Sequence, residues 1–522
     1  MAETTNIKFH GAAGTVTGSC FEIRGSGKTI IVDCGLFQGT RSLERLNFEK
    51  LPFDVETVDA VILTHAHLDH SGRLPCIYAH GCKPPTYCTP PTADILKPLL
   101  LDSAKLQAAS VERRNRRADR AGLPPFFPLY TGPDITKLMN NITTVDYCEQ
   151  VDLGNGVSFR LWDARHIVGS ASVEINIAGQ RLLISGDIGS GTAIQCAGQE
   201  LGGYDHIVCE ATYGARERKE TLIRERREAL AKYVEDTLKA GGNLLIPAFA
   251  VERTQSILED FLALFDAGRL SSVNVFLDAP LAQKVTMAML KYRDNGADLL
   301  KRPNIRFIQS VAESKQLNQI TGAVIIAGSG MCEGGRIRHH LIRNLPKRQS
   351  RLLFTGFQVA GTLGSVLAGG AKMVRISGND VIVNADISVL DGYSNHADRG
   401  ELVQWIEEHR PISGTIFVVH GEEEGLQSLA SDLTATECYN QPVIPRLGEQ
   451  WELRPQAQAQ RQSSARADAE QLTAPQDWTS RLAALRSSVQ QKVLALPSDQ
   501  DRDKMLKSLE RALESYQQEK LR

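Results

Sequence analysis

The sequence repeatedly runs through a short apolar stretch and stops on an aspartate or a histidine. Thr29-Ile-Ile-Val ends on Asp33, and Val58-Asp-Ala-Val-Ile-Leu-Thr64 leads into His65. Phe159-Arg-Leu-Trp-Asp163 precedes His166, Arg181-Leu-Leu-Ile-Ser185 precedes Asp187, and Thr415-Ile-Phe-Val-Val419 ends on His420. Apolar runs of about 4–8 residues bounded by polar and glycine residues are buried strands. A chain of this kind must fold around strands whose polar ends can meet.

The densest of these ends is Leu63-Thr-His-Ala-His-Leu-Asp-His-Ser-Gly72. His65 and His67 can point to one side of an extended loop, and Asp69 and His70 reach a second point nearby. Imidazole and carboxylate together suit zinc, at roughly 2.0–2.2 Å. A single histidine is more often a packed core or loop residue. Three histidines and one aspartate within His65–His70 are too concentrated for that. Such a site needs further ligands, and the other strand ends supply His166, Asp187, His420 and Asp33 as candidates.

The rhythm changes along the chain. Short strands dominate the first ~200 residues, with one Arg- and Glu-rich helix at 92–121 that Pro124, Pro125 and Pro128 terminate. From about 220, helices at 219–240, 252–267 and 280–293 alternate with strands at 243–247, 273–278, 323–327 and 351–355. That alternation predicts a parallel sheet with helices on both faces. Short strands return after ~385. Residues 455–475 are rich in Gln, Ala, Arg and Ser and read as a flexible linker. Beyond them, Leu482, Leu485, Val489, Val493 and Leu496 give a helical tail.

Composition narrows the class. The chain has 522 residues, enough for two or three domains, and 42 % hydrophobic residues, enough for sizeable cores. Its net charge of -2 means that a polyanion must be held by a local cleft or by metal. The polar start, Met1-Ala-Glu-Thr-Thr-Asn, and the lack of a long apolar run predict a cytoplasmic protein with reduced thiols and no membrane contact. Cys76, Cys82 and Cys88 recur at a spacing that matches no common zinc site and read as core residues.

Asp33, the His65–His70 motif, His166 and Asp187 resemble the first four motifs of the metallo-β-lactamase superfamily. Glu210 in Cys-Glu-Ala-Thr-Tyr-Gly, His396 in Ser-Asn-His-Ala-Asp and His420 resemble the three extra motifs of its β-CASP branch. That branch contains RNA-processing nucleases, including the endonuclease subunit of the cleavage and polyadenylation machinery and its bacterial and archaeal relatives. Gly11-Ala-Ala-Gly-Thr-Val-Thr-Gly-Ser19, Pro247-Ala-Phe-Ala-Val-Glu-Arg253, Gly328-Ser-Gly-Met331 and Gly356-Phe-Gln358 look like the same branch. The resemblance covers roughly residues 6–450 and does not reach the tail. It implies an α/β fold: an αββα metallo-β-lactamase sandwich with an inserted β-CASP domain (a parallel sheet with flanking helices), plus a helical C-terminal tail. The implied boundaries are 1–208 and 386–454 for the two parts of the sandwich, 209–385 for the insert, and 455–522 for linker and tail. No KH module before the first strand and no C-terminal domain of the RNase J group are expected.

The resemblance also implies a mechanism. One Zn2+ is expected on His65, His67, His166 and Asp187, and a second on Asp69, His70, Asp187 and His420. Asp33 is expected to orient the histidine loop without binding metal. Two such ions activate a bridging hydroxide for attack on phosphorus, with Asp69 orienting it. His396 is the expected general acid, and Glu210 the group that fixes its tautomer. The implied reaction is hydrolysis of RNA phosphodiester bonds, endonucleolytic and, in some relatives, also exonucleolytic. The implied partners are single-stranded RNA and a second copy of the chain. Ser329, Gly330, Arg336, His340 and Thr362 are candidates for phosphate contact, because a Gly-rich loop before a helix presents backbone amides. His339 and the run Arg113-Arg-Asn-Arg-Arg117 suit either a solvated helix face or RNA contact. A hydrolase of DNA or of a small ester, and a non-catalytic RNA-binding subunit, are the competing readings.

Overall fold

The computed structural model describes residues 4–520, except 80, 121–123, 192–201, 219–222, 293–298, 300, 360, 437–439, 474–488, 490, 491, 494, 495 and 497. Leu482 and Leu485 of the expected tail helix lie outside the described residues. The helix observed in the tail is Asp499–Lys520.

Two sheets face each other across an apolar layer. The first has eight strands, in the order Ala457–Ser463, Gln450–Arg454, Thr5–Phe9, Phe21–Gly25, Lys28–Val32, Ala60–Ile62, Thr86–Cys88 and Ile142–Thr144. The second has six, in the order Ile416–Val419, His206–Glu210, Gln180–Ile184, Ala171–Ile177, Val157–Asp163 and Gln150–Gly154. Side chains alternate between faces along each strand. Leu182 and Ile184 therefore join Phe9, Ile30, Val32 and Phe417 in the layer between the sheets. Leu183 points outward to Leu402, Trp405 and Leu429, on helices Arg399–Glu408 and Glu423–Ala435. On the outside of the first sheet, Ile95, Leu96 and Leu100 of helix Pro90–Arg120 close the other layer. The result is the expected αββα sandwich.

The insert is built differently. Its six strands, in the order Ile305–Phe307, Val275–Leu277, Val324–Ala327, Leu244–Pro247, Arg351–Phe354 and Asp386–Val389, are all parallel. Leu244 and Ile246 pack with Phe261 and Leu264 of helix Arg253–Asp266. Leu245 packs on the opposite face with Ile337 and Leu341 of helix Ile337–Asn344. Both faces are thus covered, as a parallel sheet requires.

Three expectations need correction. Asp386–Val389 pairs with Arg351–Phe354, so the insert runs past 385. Residues 455–475 are not a plain linker: Ala457–Ser463 pairs with Gln450–Arg454 as an edge strand. Ala469 and Leu472 of the following short helix pack on Phe37, Leu43 and Leu46. Cys148 is disulfide-bonded, so the thiols are not all reduced. Cys76 and Cys88 are buried with thiols pushed up to about 12, as core residues are. Among the described residues, no helix is long and apolar enough to cross a membrane.

One buried polar cluster braces the insert. Asp278, fully buried, accepts from Arg336 (2.6 Å), His340 (2.6 Å) and Ser314 (2.6 Å). Burial alone raises its pKa, but these hydrogen bonds outweigh burial and hold the carboxyl below its ordinary value. Such a depressed group contributes stability that is present above the unfolded value of about 4 and is lost as pH falls through the folded one. Asp278→Asn leaves its cationic partner uncompensated and is expected to lower stability by about 3 kcal/mol at pH 7. Denaturant melts should show that difference shrinking below about pH 4; a difference independent of pH would contradict it.

Candidate metal centre

Parallel pairing decides where the site lies. Gln180–Ile184, His206–Glu210 and Ile416–Val419 run side by side, with Ile184 opposite Val208 and Glu210 opposite Val419. Their carboxyl ends therefore deliver Asp187, Glu210 and His420 to one edge. Lys28–Val32 and Ala60–Ile62, also parallel, bring Asp33 and the His65–His70 loop to the same edge from the first sheet. Ala171 donates its amide to Thr64 O at 2.8 Å and ties the two sheets together there.

The histidine loop is stitched down by backbone hydrogen bonds. Ser19 N donates to Asp69 O, Cys34 N to His70 O and Leu36 N to Leu68 O, each at 2.8 Å. This close approach explains Gly35, where a Cβ would lie 1.6 Å from Asp69 O. Gly189 plays the same part beneath His166, where a Cβ would lie 1.8 Å from Arg165 O.

The donor atoms converge in two groups, His65–His67–His166–Asp187 and Asp69–His70–Asp187–His420, each within 4.8 Å. Asp187 belongs to both. In the first group, His67 Nδ1 lies 3.1 Å from His65 Nε2 and 3.2 Å from His166 Nε2. In the second, His70 Nε2 lies 3.2 Å from His420 Nε2, which is 3.8 Å from Asp69 Oδ2. The far ring nitrogens have partners behind them: His70 Nδ1 meets Asp33 Oδ2 at 2.7 Å, and His166 Nδ1 meets Asn395 O at 3.2 Å. His420 Nδ1 meets Thr212 Oγ1 at 3.0 Å. With protons held at the back, the facing nitrogens present lone pairs, as metal-ligating histidines do. Asp33 also accepts from Thr64 N (2.8 Å) and Thr64 Oγ1 (2.9 Å), so it is a brace behind the ring.

Electrostatics agree with a cation-binding pocket. Burial first, then neighbouring histidines, hold His65 and His166 well below the usual pKa, so both are neutral at pH 7. Burial also opposes charge on His70, but Asp187 and Asp33 outweigh it and push the ring well above its usual value. Asp69 behaves conversely: burial raises it, and His420 and His70 draw it down to about 2. Asp187 Oδ1, buried with no aligned hydrogen-bond donor, is the atom that a cation would satisfy. The residues present therefore fit metal.

His396 faces this pocket from the loop that returns from the insert. Its ring lies 4.4 Å from that of His166, and its Nδ1 lies 3.3 Å from Glu210 Oε1. Burial lowers the ring's pKa, but the Glu210 carboxylate outweighs it, and the net shift is upward. Glu210 is fixed in turn by the amides of Ile188 (2.7 Å) and Thr212 (3.0 Å). Arg218 was not singled out from the sequence, yet it holds the His396 loop. Its guanidinium donates to Ser394 O (2.8 Å), His396 O and Glu401 Oε2 (3.0 Å).

The candidate phosphate contacts belong to the insert and to neither donor group. His340 is buried on Asp278, and Arg336 Nη1 is engaged by the same carboxylate. Ser329 N donates to Gly334 O at 3.2 Å, within its own loop. Gly330 lies beneath the Phe249 ring, and Thr362 Oγ1 caps helix Leu363–Ala368. His339 is exposed. On helix Pro90–Arg120, Arg113, Arg114 and Arg116 are exposed, and Arg114 stacks over Phe126 at 4.6 Å.

Known proteins share these features. Residues 13–194 match the metallo-beta-lactamase superfamily, residues 254–367 the Beta-Casp domain, and residues 380–445 the Zn-dependent metallo-hydrolase RNA specificity domain. Ribonuclease TTHA0252 of Thermus thermophilus is 34 % identical over 433 residues, covering 80 % of this chain and 94 % of the relative. An RNase J-like protein of Methanocaldococcus jannaschii is 29 % identical over 449 residues, 84 % of this chain and 97 % of its own. Transcription termination factor FttA of Cenarchaeum symbiosum is 29 % identical over 447 residues, and the match spans 66 % of its length. The crystal structure of a protein of unknown function from Enterococcus faecalis V583 has the same fold, with a TM-score of 0.50 and 15 % identity over 86 % of this chain and 100 % of that one. The chain belongs to the metallo-β-lactamase superfamily, in its β-CASP branch.

Gly35→Ala should push Asp69 and His70 out of register without touching a donor atom. The variant is expected to hold less divalent metal than wild type by elemental analysis while remaining folded by circular dichroism; undiminished metal content would contradict the role given to Gly35.

Proposed function

We propose that this protein is a zinc-dependent ribonuclease. The observation that carries the reading is the pairing of two donor groups, sharing Asp187, with a His396–Glu210 pair directed at them. The match to an RNA specificity domain and the likeness to a relative named ribonuclease support RNA as substrate. His65, His67, His166 and Asp187 would hold one zinc, and Asp69, His70, Asp187 and His420 another. When bound, two such ions lower the pKa of water to near neutral and stabilise charge on a phosphoryl oxygen.

The chain's own residues supply the rest. Asp69, with its pKa at about 2, stays ionised at neutral pH and can accept a hydrogen bond that orients the attacking water. Glu210 engages His396 Nδ1, which leaves Nε2 to face the leaving oxygen. The same carboxylate favours the imidazolium, so a proton is available for that oxygen at neutral pH. Arg218 keeps the His396 loop in place. The inserted domain provides a second wall, which a small ester would not need. Cleavage is proposed to be internal to the strand.

Purified protein should cut labelled single-stranded RNA, linear and circularised, and lose that activity with a chelator. Cleavage of matching DNA but not RNA, or RNA cleavage that survives unchanged in an Asp69→Ala, His70→Ala variant, would overturn the reading. Resistance of the circle alone would replace internal cutting with cutting from an end. His396→Ala should retain its zinc and lose about 100-fold or more in kcat. Arg218→Ala should likewise retain zinc and lose about 10- to 100-fold, because a small misplacement of the acid suffices; zinc loss in either variant would contradict these assignments.

A further inference from the structure

An aromatic surface linked to His396 through Tyr213 and Arg216 has no part in the chemistry above. Phe249 is 45 % exposed and Phe357 57 % exposed. They lie on the loops that follow Leu244–Pro247 and Arg351–Phe354, neighbouring strands paired in parallel. These loops therefore emerge together at the carboxyl edge of the insert's sheet, the edge where open parallel sheets take ligands.

Phe357 is met by Arg216, on the segment that follows strand His206–Glu210. The guanidinium carbon lies 4.6 Å from the Phe357 ring centroid and 5.0 Å from that of Tyr213. Tyr213 in turn meets His396 edge to face, with centroids 5.6 Å apart and planes at 64°. A continuous file, His396–Tyr213–Arg216–Phe357, thus crosses from one domain to the other.

The exposed ring stands on a held loop. Arg253 donates to Thr355 O beneath it, and Gln358 Nε2 reaches Gly356 O (3.2 Å) and Gly330 O (3.3 Å). Phe249 packs over Gly330, where a Cβ would lie 2.8 Å from its ring. An apolar ring held out to water gains from a planar partner, and a guanidinium beside it favours a π-face that carries negative charge nearby.

We propose that Phe357, backed by Arg216 and Tyr213, is a stacking subsite for one unpaired base of the RNA strand, adjacent to the phosphate that is cut. This rests on the ribonuclease reading and adds a specificity-determining contact to it. Stacking is blind to base identity but needs a base, so the subsite selects single strands over duplex.

The zinc-loaded full chain separates this from the parent reading. Wild type, Phe357→Ala and Phe357→Trp are compared on short single-stranded RNAs carrying one abasic nucleotide at successive positions, and on glycerophosphocholine, a diester without bases or aromatic rings. Phe357→Ala should raise KM for intact RNA about 10-fold, leave the base-free diester unchanged, and be rescued by Phe357→Trp. One abasic position should raise the wild-type KM similarly and add nothing in Phe357→Ala. Wild type that cleaves RNA while Phe357→Ala keeps the same KM would overturn the subsite, as would abasic penalties that add fully to the substitution at every position. A changed oligomeric state with unchanged KM would also overturn it, giving the surface to a second copy of the chain. Wild type that hydrolyses the simple diester but no RNA would instead overturn the ribonuclease reading, and the subsite with it.

Discussion

Parallel alignment of three strands from distant parts of the chain is the constraint on which the site depends. Gln180–Ile184, His206–Glu210 and Ile416–Val419 share one direction and a fixed register, so their carboxyl ends fall together. Each then contributes one group: Asp187, buried between the two donor sets; Glu210, buried behind His396; and His420, held by Thr212 and by its amide to Ala12 O at 2.7 Å. A parallel strand cannot follow its neighbour by a tight turn. The crossover between Glu210 and Ile416 is where the whole inserted domain is accommodated, so the same pairing that builds the pocket also gives it a second wall.

Buried charge explains why the pocket favours metal. Asp187 and Asp69 lie among five imidazoles, with Asp33 and Glu210 immediately behind. Without a cation, the carboxylates raise the proton affinity of His70 and His420 while burial keeps His65 and His166 neutral. A divalent ion would relieve both conditions, since it would take the place of the proton and satisfy the lone pairs that face one another at 3.1–3.2 Å. His396 differs from the five in position: it lies outside both donor groups, with Glu210 at its back.

Much of this was legible in the sequence because the donors stand at the ends of apolar runs. The His65–His70 loop declared itself by density, and His166, Asp187 and His420 by their places after strands. The parts that were not legible depend on contacts that no local pattern records. Gly35 follows Asp33 in an ordinary Asp-Cys-Gly, and only the approach of Asp69 O shows why it has no side chain. Arg218 grips a carbonyl 176 residues away. His340 and Arg336 read as phosphate contacts because Asp278, their partner, lies 62 and 58 residues earlier, just past strand Val275–Leu277. The polar segment Ala457–Ser463 read as linker because an edge strand can be solvent-facing and draws its order from backbone pairing, not from apolar alternation.

The central claim is that the seven donor residues hold two metal ions through one shared carboxylate. Native mass spectrometry of the zinc-loaded chain tests it most directly. The account predicts two zinc ions per chain in wild type, one in His420→Ala and loss of both in Asp187→Ala. A single ion in wild type, or two that persist without Asp187, would contradict it.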